Sequence, residues 1–333
     1  MMDLSIIIPV YNVEKYIARC LDSIYVLPMK VEQFEVLCID DCSPDGSCAI
    51  IEDYQKRYAN LRLIYHRENL RQGGARNTGI REANGDYCMF VDADDSLPQM
   101  DILSHIDYMR ENDLELLLGR ANVIGADGSI TKWGSSPEEE STIMHGPDIY
   151  VDEYVHKVAF GVVWMGIYKT DLVRRIPPFL EKVQYEDTDW TLRCAYEANR
   201  LQYKPIVIYN YHNNPGSTTT TKRISSLVEK TKQSLRIYEW ALTTKERHNE
   251  VVFAAEDYGT SNLYGVASLV RFGFKERRLF YNAFSREELH SIANWQGGNY
   301  TKLYMKCPVF SQMILCLLHP IYKVYKGMKG FWK

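Results

Sequence analysis

The N-terminal third of the chain alternates short apolar runs with segments whose apolar positions recur at helical spacing. Four of the runs, "LSIIIPV", "FEVLCID", "LRLIYH" and "DYCMFVD", predict strands. Helices are predicted between them, as in "EKYIARCLDSIY", where Ile17, Leu21 and Ile24 fall on one helical face. Because apolar strands separated by helices form parallel sheets covered on both faces, we predict an α/β fold with a mainly parallel sheet.

The pattern loosens beyond Gly125. Residues 125–147 are rich in Gly, Ser, Pro and acidic residues, and predict an excursion or a hairpin rather than core. Mixed elements resume from Asp148 to about Tyr211, including "YEDTDWTLRCAYEANR" and "YKPIVIYNYH", and the pattern is mostly helical from Ile224 onward. We therefore predict a first domain of residues 1–222 and a helical C-terminal region of residues 223–333.

Composition and charge narrow the class of protein. The chain has 333 residues, 46% of them apolar and 25% charged, as in an ordinary globular protein. Its net charge of -4 gives no basic field, so nucleic acid is not an expected partner. The N-terminus has no basic region before its apolar run, which breaks at Pro9, and the eight cysteines are scattered. We expect a cytoplasmic protein with reduced cysteines and no signal peptide.

An acidic cluster follows the fourth predicted strand, in "MFVDADDSLPQ". Asp92, Asp94 and Asp95 repel one another unless a cation or hydrogen-bond donors compensate them. Carboxylates of this kind suit Mg²⁺ or Mn²⁺, which share phosphate oxygens of a substrate. The alternative is that they are turn and N-cap residues of the next helix.

Two further polar segments are expected at the same edge, because parallel strands present their carboxyl ends together. In "CIDDCSPDGS", Asp40 and Asp41 can accept hydrogen bonds from a base or a ribose, or else cap the helix near Ser47. In "NLRQGGARNTG", glycines such as Gly74 permit close approach to phosphate in a loop that runs into a helix. Arg71 or Arg76 can supply the charge there. The chain has neither a Walker loop nor a G-x-G-x-x-G motif.

Five segments together resemble a known family. "SIIIPVYN", "IDDCSPDGS", "GGARNTGI", "FVDADD" and "YEDTDW" have the order and spacing of family 2 inverting glycosyltransferases with the Rossmann-like A-type (GT-A) fold. The resemblance covers about residues 4 to 215, and implies a donor half of about 1–120 and an acceptor half of about 121–222. It also implies a nucleotide-sugar donor, with UDP expected, a Mn²⁺ or Mg²⁺ cofactor, and a single displacement at the anomeric carbon.

The resemblance assigns roles on the donor side. Tyr11 would pack on the base and Asp41 would contact it. Asp92 and Asp94 would bind the metal and the donor, with Asp95 as a substitute for either. The other donor-side positions in these motifs are Pro9, Asn77 and Ala93.

The acceptor base is expected in "YEDTDWTLR". Inverting transfer needs one carboxylate to take the acceptor proton, across the reaction centre from the diphosphate. The resemblance makes that base Asp187, with Glu186 orienting the acceptor or a loop. The alternative is that these acids only favour the N-terminus of a helix.

Three residues have two interpretations each. His212, after the strand in "YNYHNNPG", completes metal or diphosphate binding or is a solvent-facing loop histidine. Trp164 and Trp190 line the acceptor side or belong to the core.

The C-terminal tail is basic although the protein is slightly acidic. From Asn299 onward there are six lysines and no acidic residue, beside apolar and aromatic residues too interrupted to span a bilayer. Residues 300–333 predict peripheral association with the inner face of the plasma membrane, or else a final helix packed on the core. With the family, this tail suggests a glycan or lipid-linked oligosaccharide acceptor in bacterial surface-polysaccharide assembly. The rival functions are a sugar-phosphate nucleotidyltransferase and a catalytically silent nucleotide-sugar-binding scaffold.

Overall fold

A computed structural model of the chain describes residues 2–134, 137–150, 162–214, 224–244, 278–280 and 282–288. The chain divides into two compact units, residues 1–217 and residues 218–333. The first unit holds the sheet, and in the second the longest described element is helix Ile224–Thr244. The predicted membrane segment, 300–333, lies outside the described residues. Within the described part of the chain, no helix is long and apolar enough to cross a membrane.

One sheet of eight strands forms the centre of the first unit. The strands are β1 (Leu4–Val10), β2 (Phe34–Asp40), β3 (Leu61–Tyr65), β4 (Tyr87–Phe90), β5 (Leu116–Ile124), β6 (Ile130–Lys132), β7 (Gly166–Lys169) and β8 (Leu201–His212). Their order is β3-β2-β1-β4-β7-β5-β6, and β8 pairs with β5. Strands β1 to β4 are parallel to one another, as are β5 and β8. The predicted α/β fold with a mainly parallel sheet is confirmed.

Six α-helices belong to the first unit in the described residues, and a seventh, α7, belongs to the second unit. They are α1 (Ile17–Tyr25), α2 (Ser47–Gln55), α3 (Arg71–Glu82), α4 (Ile102–Glu111), α5 (Thr170–Arg175), α6 (Glu186–Glu197) and α7 (Ile224–Thr244). Side chains alternate across β1, so Ile6 and Ile8 join the core cluster that contains Ile17 of α1 and Ile106 of α4. Ile7 points to the other face, where Gly79 of α3 packs against it. Helices therefore cover both faces, as predicted.

The glycine-rich segment is helical rather than a loop, and this corrects the sequence-based prediction. Helix α3 begins at Arg71, so Gly73, Gly74 and Gly79 are all helical. A Cβ on Gly73 would clash with the carbonyl oxygen of Leu180, and one on Gly79 with the side chain of Ile7. Close packing of a buried helix thus accounts for these glycines without a phosphate.

Strand β7 interrupts the parallel sheet. It lies between β4 and β5 and is antiparallel to both, with Tyr168 opposite Cys88 and Leu116. The hairpin alternative for residues 125–147 is confirmed in part, because β5 and β6 are antiparallel neighbours around the turn that begins at Gly125.

Candidate active site

The carboxyl ends of β1, β2 and β4 meet at one edge of the sheet. Val10 pairs with Asp40, and the backbone N–H of Asp41 continues that pairing by donating to the Val10 carbonyl at 2.9 Å. Asn12 and Cys42, just beyond the two strands, have φ angles of 57° and 63°. Non-glycine residues are uncommon in this left-handed region, although asparagine adopts it more readily than most.

Arg76 is the buried cation that compensates the first aspartate of the acidic cluster. Its side chain is 1% exposed. The Nη2 group donates to Asp92 Oδ1 at 2.8 Å, and the Nη1 group donates to Glu186 Oε1 at 2.5 Å. The guanidinium therefore joins a carboxylate at the end of β4 to the first residue of α6. This arrangement puts the two acidic motifs of the sequence into one site.

Asp187 follows directly in α6 and is half-buried. Burial, and then the neighbouring charge of Glu186, raises the pKa of Asp187 to about 7. A carboxyl group with such a pKa exchanges a proton near neutral pH, as a general base must. Tyr185, which precedes the helix, has a φ of 60°, an uncommon backbone conformation for a bulky residue.

Asp95 organises the loop after β4, and both of its carboxylate oxygens have a partner within the protein. It is buried, and its carboxylate accepts from the Tyr209 hydroxyl at 2.8 Å and from the His212 backbone N–H at 2.7 Å. The same Tyr209 hydroxyl accepts from the backbone N–H of Asp92 at 3.0 Å. Tyr209 of β8, a strand that pairs with β5 rather than with β4, thus positions the acidic cluster.

Asp94 lies between those two aspartates and is held mainly by its backbone. Arg19 Nη2 and Asn214 Nδ2 donate to its carbonyl oxygen at 2.5 and 2.9 Å, and Asn214 Nδ2 lies 3.3 Å from Asp94 Oδ2. Burial, and then the charge of Asp92, raises the pKa of Asp94. A cation near Asp92 and Asp94 would offset the repulsion between their carboxylates.

His212 reaches the acidic loop from the end of β8. Its Nε2 atom lies 2.8 Å from the Ser96 hydroxyl. Desolvation, and then the Arg19 charge, lowers the pKa of His212 to about 4, so the imidazole is neutral at pH 7. A neutral imidazole is the form that ligates metals, although its Nε2 already has a partner here.

The predicted base-binding residues stand at the ends of β1 and β2. Tyr11 is 51% exposed, so the face of its aromatic ring is accessible for stacking against a base. Asp41 is buried, and its Oδ2 atom has no hydrogen-bond partner. Asp40 accepts from the backbone N–H of Ser43 at 3.0 Å and so shapes the turn after β2.

The other predicted donor-side residues have structural contacts of their own. Asn77 exchanges two hydrogen bonds with the backbone of Phe179, at 2.8 and 2.9 Å, and so holds the segment before α6. Gly74 packs against Leu70, and Arg71 is exposed at the start of α3. Pro9 and Ala93 are buried. The donor-binding roles of these residues stay predictions.

Both tryptophans belong to aromatic clusters. Trp164 is 3% exposed and stacks on Tyr209 with ring centroids 4.4 Å apart. Trp190 is 2% exposed and stacks on Phe179 at 4.2 Å. Because a residue that lines an acceptor cleft must present surface to it, the structure favours the core interpretation over the acceptor-side one for both.

Two residues important to the site are missing from the sequence-based set. Tyr209 binds both Asp92 and Asp95, and the signal for it is that a tyrosine in an apolar strand needs a partner for its hydroxyl. His66 contacts Asp41 and directly follows β3. Because ligands bind beyond the carboxyl ends of parallel strands, His66 after β3 is a candidate on the same grounds as Asp41 after β2.

Comparison with known proteins gives consistent matches. A family model described as Glycosyl transferase family 2 matches residues 5–176. "Uncharacterized glycosyltransferase EpsJ" of Bacillus subtilis is 31% identical over 219 residues, which are 65% of this chain and 62% of that protein. "Poly(ribitol-phosphate) beta-glucosyltransferase" of Bacillus spizizenii is 39% identical over 215 residues, 63% of this chain and 32% of that protein. The chain thus spans less than two thirds of the length of these curated relatives.

Solved structures share the fold. The crystal structure of S. aureus TarS 1-349 in complex with UDP-GlcNAc has a TM-score of 0.73 at 20% identity, over 97% of this chain and 92% of that one. The mannosyltransferase PcManGT from Pyrobaculum calidifontis, in complex with GDP-Man and Mn²⁺, has a TM-score of 0.53 at 14% identity, over 95% and 86% of the two chains.

Proposed function

Because this chain belongs to glycosyl transferase family 2, we propose that it transfers a sugar from a nucleotide-diphosphate donor to an acceptor hydroxyl, with inversion at the anomeric carbon. One observation carries the proposal. The buried guanidinium of Arg76 binds Asp92, a predicted donor residue, and Glu186, the neighbour of the predicted base Asp187. The Arg76 side chain therefore connects the predicted donor residue Asp92 to the helix that carries the predicted base.

The donor proposed is a UDP-sugar. Asp41 is buried and its Oδ2 atom has no partner, so it offers an acceptor to a ring N–H such as uracil presents. Tyr11 directly follows β1, the strand that pairs with β2, and offers an exposed ring. The structural neighbour TarS, crystallised with UDP-GlcNAc and with UDP, supports the same choice.

A divalent cation, Mn²⁺ or Mg²⁺, is proposed at Asp94 and Asp92, with His212 as a further candidate. The raised pKa of Asp94, caused first by burial and then by Asp92, supports a cation there. In the described ranges no group of three or more His, Cys, Asp or Glu side chains is arranged to hold a metal. This fits an ion that takes its other ligands from the diphosphate and water. When bound, the ion would neutralise charge on the leaving diphosphate.

The residues of this chain supply the proton transfer. The Asp187 carboxylate takes the proton of the acceptor hydroxyl, and the acceptor oxygen attacks the anomeric carbon from the face opposite the diphosphate. A new C–O bond forms as the bond to the diphosphate oxygen breaks, and the nucleoside diphosphate leaves. Glu186 cannot share this task freely, because its carboxylate is bound to Arg76.

A hydroxyl of a cell-surface polymer is the proposed acceptor, in the cytoplasm. Relatives named for poly(ribitol-phosphate) glycosylation support this class of acceptor, and a lipid-linked oligosaccharide is the alternative. Residues 300–333 are proposed to hold the enzyme at an anionic membrane. Co-sedimentation with anionic liposomes tests this part, and equal binding by a chain truncated after Asn299 would remove it.

Calorimetric titration tests the core of the proposal. The protein is titrated with UDP, GDP and dTDP, each with and without Mn²⁺, and Asp94→Asn serves as an isosteric control. We expect Mn²⁺-dependent binding of UDP that the variant loses. Absence of binding by a folded wild-type protein would reject a nucleotide-sugar enzyme. Binding without turnover of any UDP-sugar would favour the silent scaffold instead.

A further inference from the structure

One carboxylate oxygen of Asp41 has two hydrogen-bond partners, and the other has none. Its Oδ1 atom accepts from the Leu70 backbone N–H at 2.7 Å and lies 2.8 Å from His66 Nδ1. Its Oδ2 atom is buried without a hydrogen-bond partner. A buried carboxylate oxygen in this state is costly unless a ligand donor reaches it.

His66 belongs to a chain of hydrogen bonds with a defined direction. Arg81 Nη2 donates to the Thr78 hydroxyl at 2.8 Å, and that hydroxyl lies 2.9 Å from His66 Nε2. Because a carboxylate only accepts, the His66 Nδ1 atom must carry the hydrogen that points to Asp41. In the neutral ring, the Nε2 atom is then the acceptor for the Thr78 hydroxyl.

The backbone of His66 is also fixed. Its N–H donates to the Asp40 carbonyl at 2.9 Å, and its carbonyl accepts from Cys42 Sγ at 3.5 Å. The side chain is 9% exposed and both ring nitrogens have partners. His66 therefore acts on a nucleotide through Asp41, rather than by touching it.

We propose that His66 is a positioning residue that fixes the rotation of the Asp41 carboxylate, so that Oδ2 accepts the ring N–H of the donor base. This inference rests on the proposed function of the site. It makes base recognition depend on a histidine that does not contact the base, and it favours bases with a ring N–H in that position.

Two substitutions at His66 separate positioning from general stability. His66→Asn keeps a donor in the place of Nδ1 and loses the contact with Thr78, whereas His66→Gln keeps a group near Nε2 and loses the donor to Asp41. Each variant loses one hydrogen bond, so the free energy of unfolding, measured in urea, should fall by a similar amount in both. The affinity for UDP should stay within about 3-fold for His66→Asn and fall about 10-fold or more for His66→Gln.

A modified nucleotide links the effect to the base. UDP methylated at N3 lacks the ring N–H, so the wild-type protein should bind it about 10-fold or more weakly than UDP. His66→Gln should lose that discrimination. Equal losses in the Asn and Gln variants, with discrimination intact, would overturn the positioning role and leave the proposed function standing.

The tautomer of His66 gives a test that needs no nucleotide. In ¹⁵N NMR spectra of the ligand-free protein, the hydrogen is expected on Nδ1. A hydrogen found only on Nε2 would overturn the inference even if UDP binds. If the wild-type protein binds no nucleotide while the Nδ1 hydrogen is present, the proposed function fails, and the inference fails with it.

Discussion

Arg76 and Glu186 are 110 positions apart in the chain, yet their side chains form a buried ion pair with 2.5 Å between Nη1 and Oε1. A buried ion pair contributes little over an apolar pair of the same shape, but removal of one partner leaves an uncompensated charge. The pair therefore makes the donor side and the start of α6 depend on each other.

Arg76→Met should destabilise the fold by about 3–5 kcal/mol, because Asp92 and Glu186 would lose their common cation. Urea unfolding followed by circular dichroism measures the loss. Arg71→Met is the matched control: Arg71 is exposed at the start of the same helix, so its loss should stay within about 0.5 kcal/mol. Similar losses in the two variants would contradict the bridging role of Arg76.

Asp187→Asn should fold normally and lose about 10²–10⁴-fold in kcat, because an amide cannot accept the acceptor proton. The donor KM should change little. Asp189→Asn is the control, since Asp189 lies in the same helical turn but pairs with Arg193 at 3.0 Å. Release of UDP from a UDP-sugar in the presence of acceptor measures both. An Asp187→Asn variant with full activity would remove this residue as the base.

The pH dependence follows from the pKa of Asp187, which burial and then Glu186 raise to about 7. The base must be ionised, so kcat should rise with pH through about 7 and then level off. Stability should move the other way. A carboxyl whose pKa is higher in the folded state stabilises the fold most below its unfolded pKa of about 3.9, and this contribution disappears as the pH rises through about 7.

Urea unfolding of the wild type and Asp187→Asn across pH 4 to 9 checks the stability half of this prediction. The wild type should lose stability relative to the variant progressively between about pH 4 and pH 7, and no further above that range. Parallel curves for the two proteins would show that Asp187 titrates with the same pKa in the folded and unfolded chains.

Tyr209→Phe should weaken Mn²⁺-dependent nucleotide binding as well as stability. The hydroxyl it loses donates to Asp95 at 2.8 Å and accepts from the Asp92 N–H at 3.0 Å. Removal of this hydroxyl leaves buried polar partners without a hydrogen bond, which costs about 1–3 kcal/mol. Tyr168→Phe is the control, because its buried hydroxyl donates only to the Val163 carbonyl. That variant should lose about 1 kcal/mol of stability and no affinity.

Much of the site follows from strand ends alone. Periodicity predicts β1, β2 and β4, and parallel strands bring Asp41 and Asp92 to one edge. The partner of Arg76 does not follow, because nothing local to α3 selects Glu186 among the 43 acidic residues. That choice depends on how α3 and α6 pack.

Two features of the site could not be predicted from the local sequence, for physical reasons. The pair Gly73 and Gly74 is typical of a loop, but here tertiary packing against Leu180 and Leu70 overrides the low helix propensity of glycine. Asp95 is identical in type to Asp94, and its contacts with the Tyr209 hydroxyl and the His212 N–H depend on β8, which is far away in the sequence.

The antiparallel strand β7 has a consequence for synthesis of the chain. β4 ends at Phe90 and β5 at Ile124, but the strand that joins them is Gly166–Lys169. Until the ribosome has released residue 169, β4 has a neighbour on one side only, and its other edge is open to pairing with another nascent chain. A fragment cut near residue 120 would keep that open edge permanently. The first unit is thus expected to complete its folding late, after its central gap is filled.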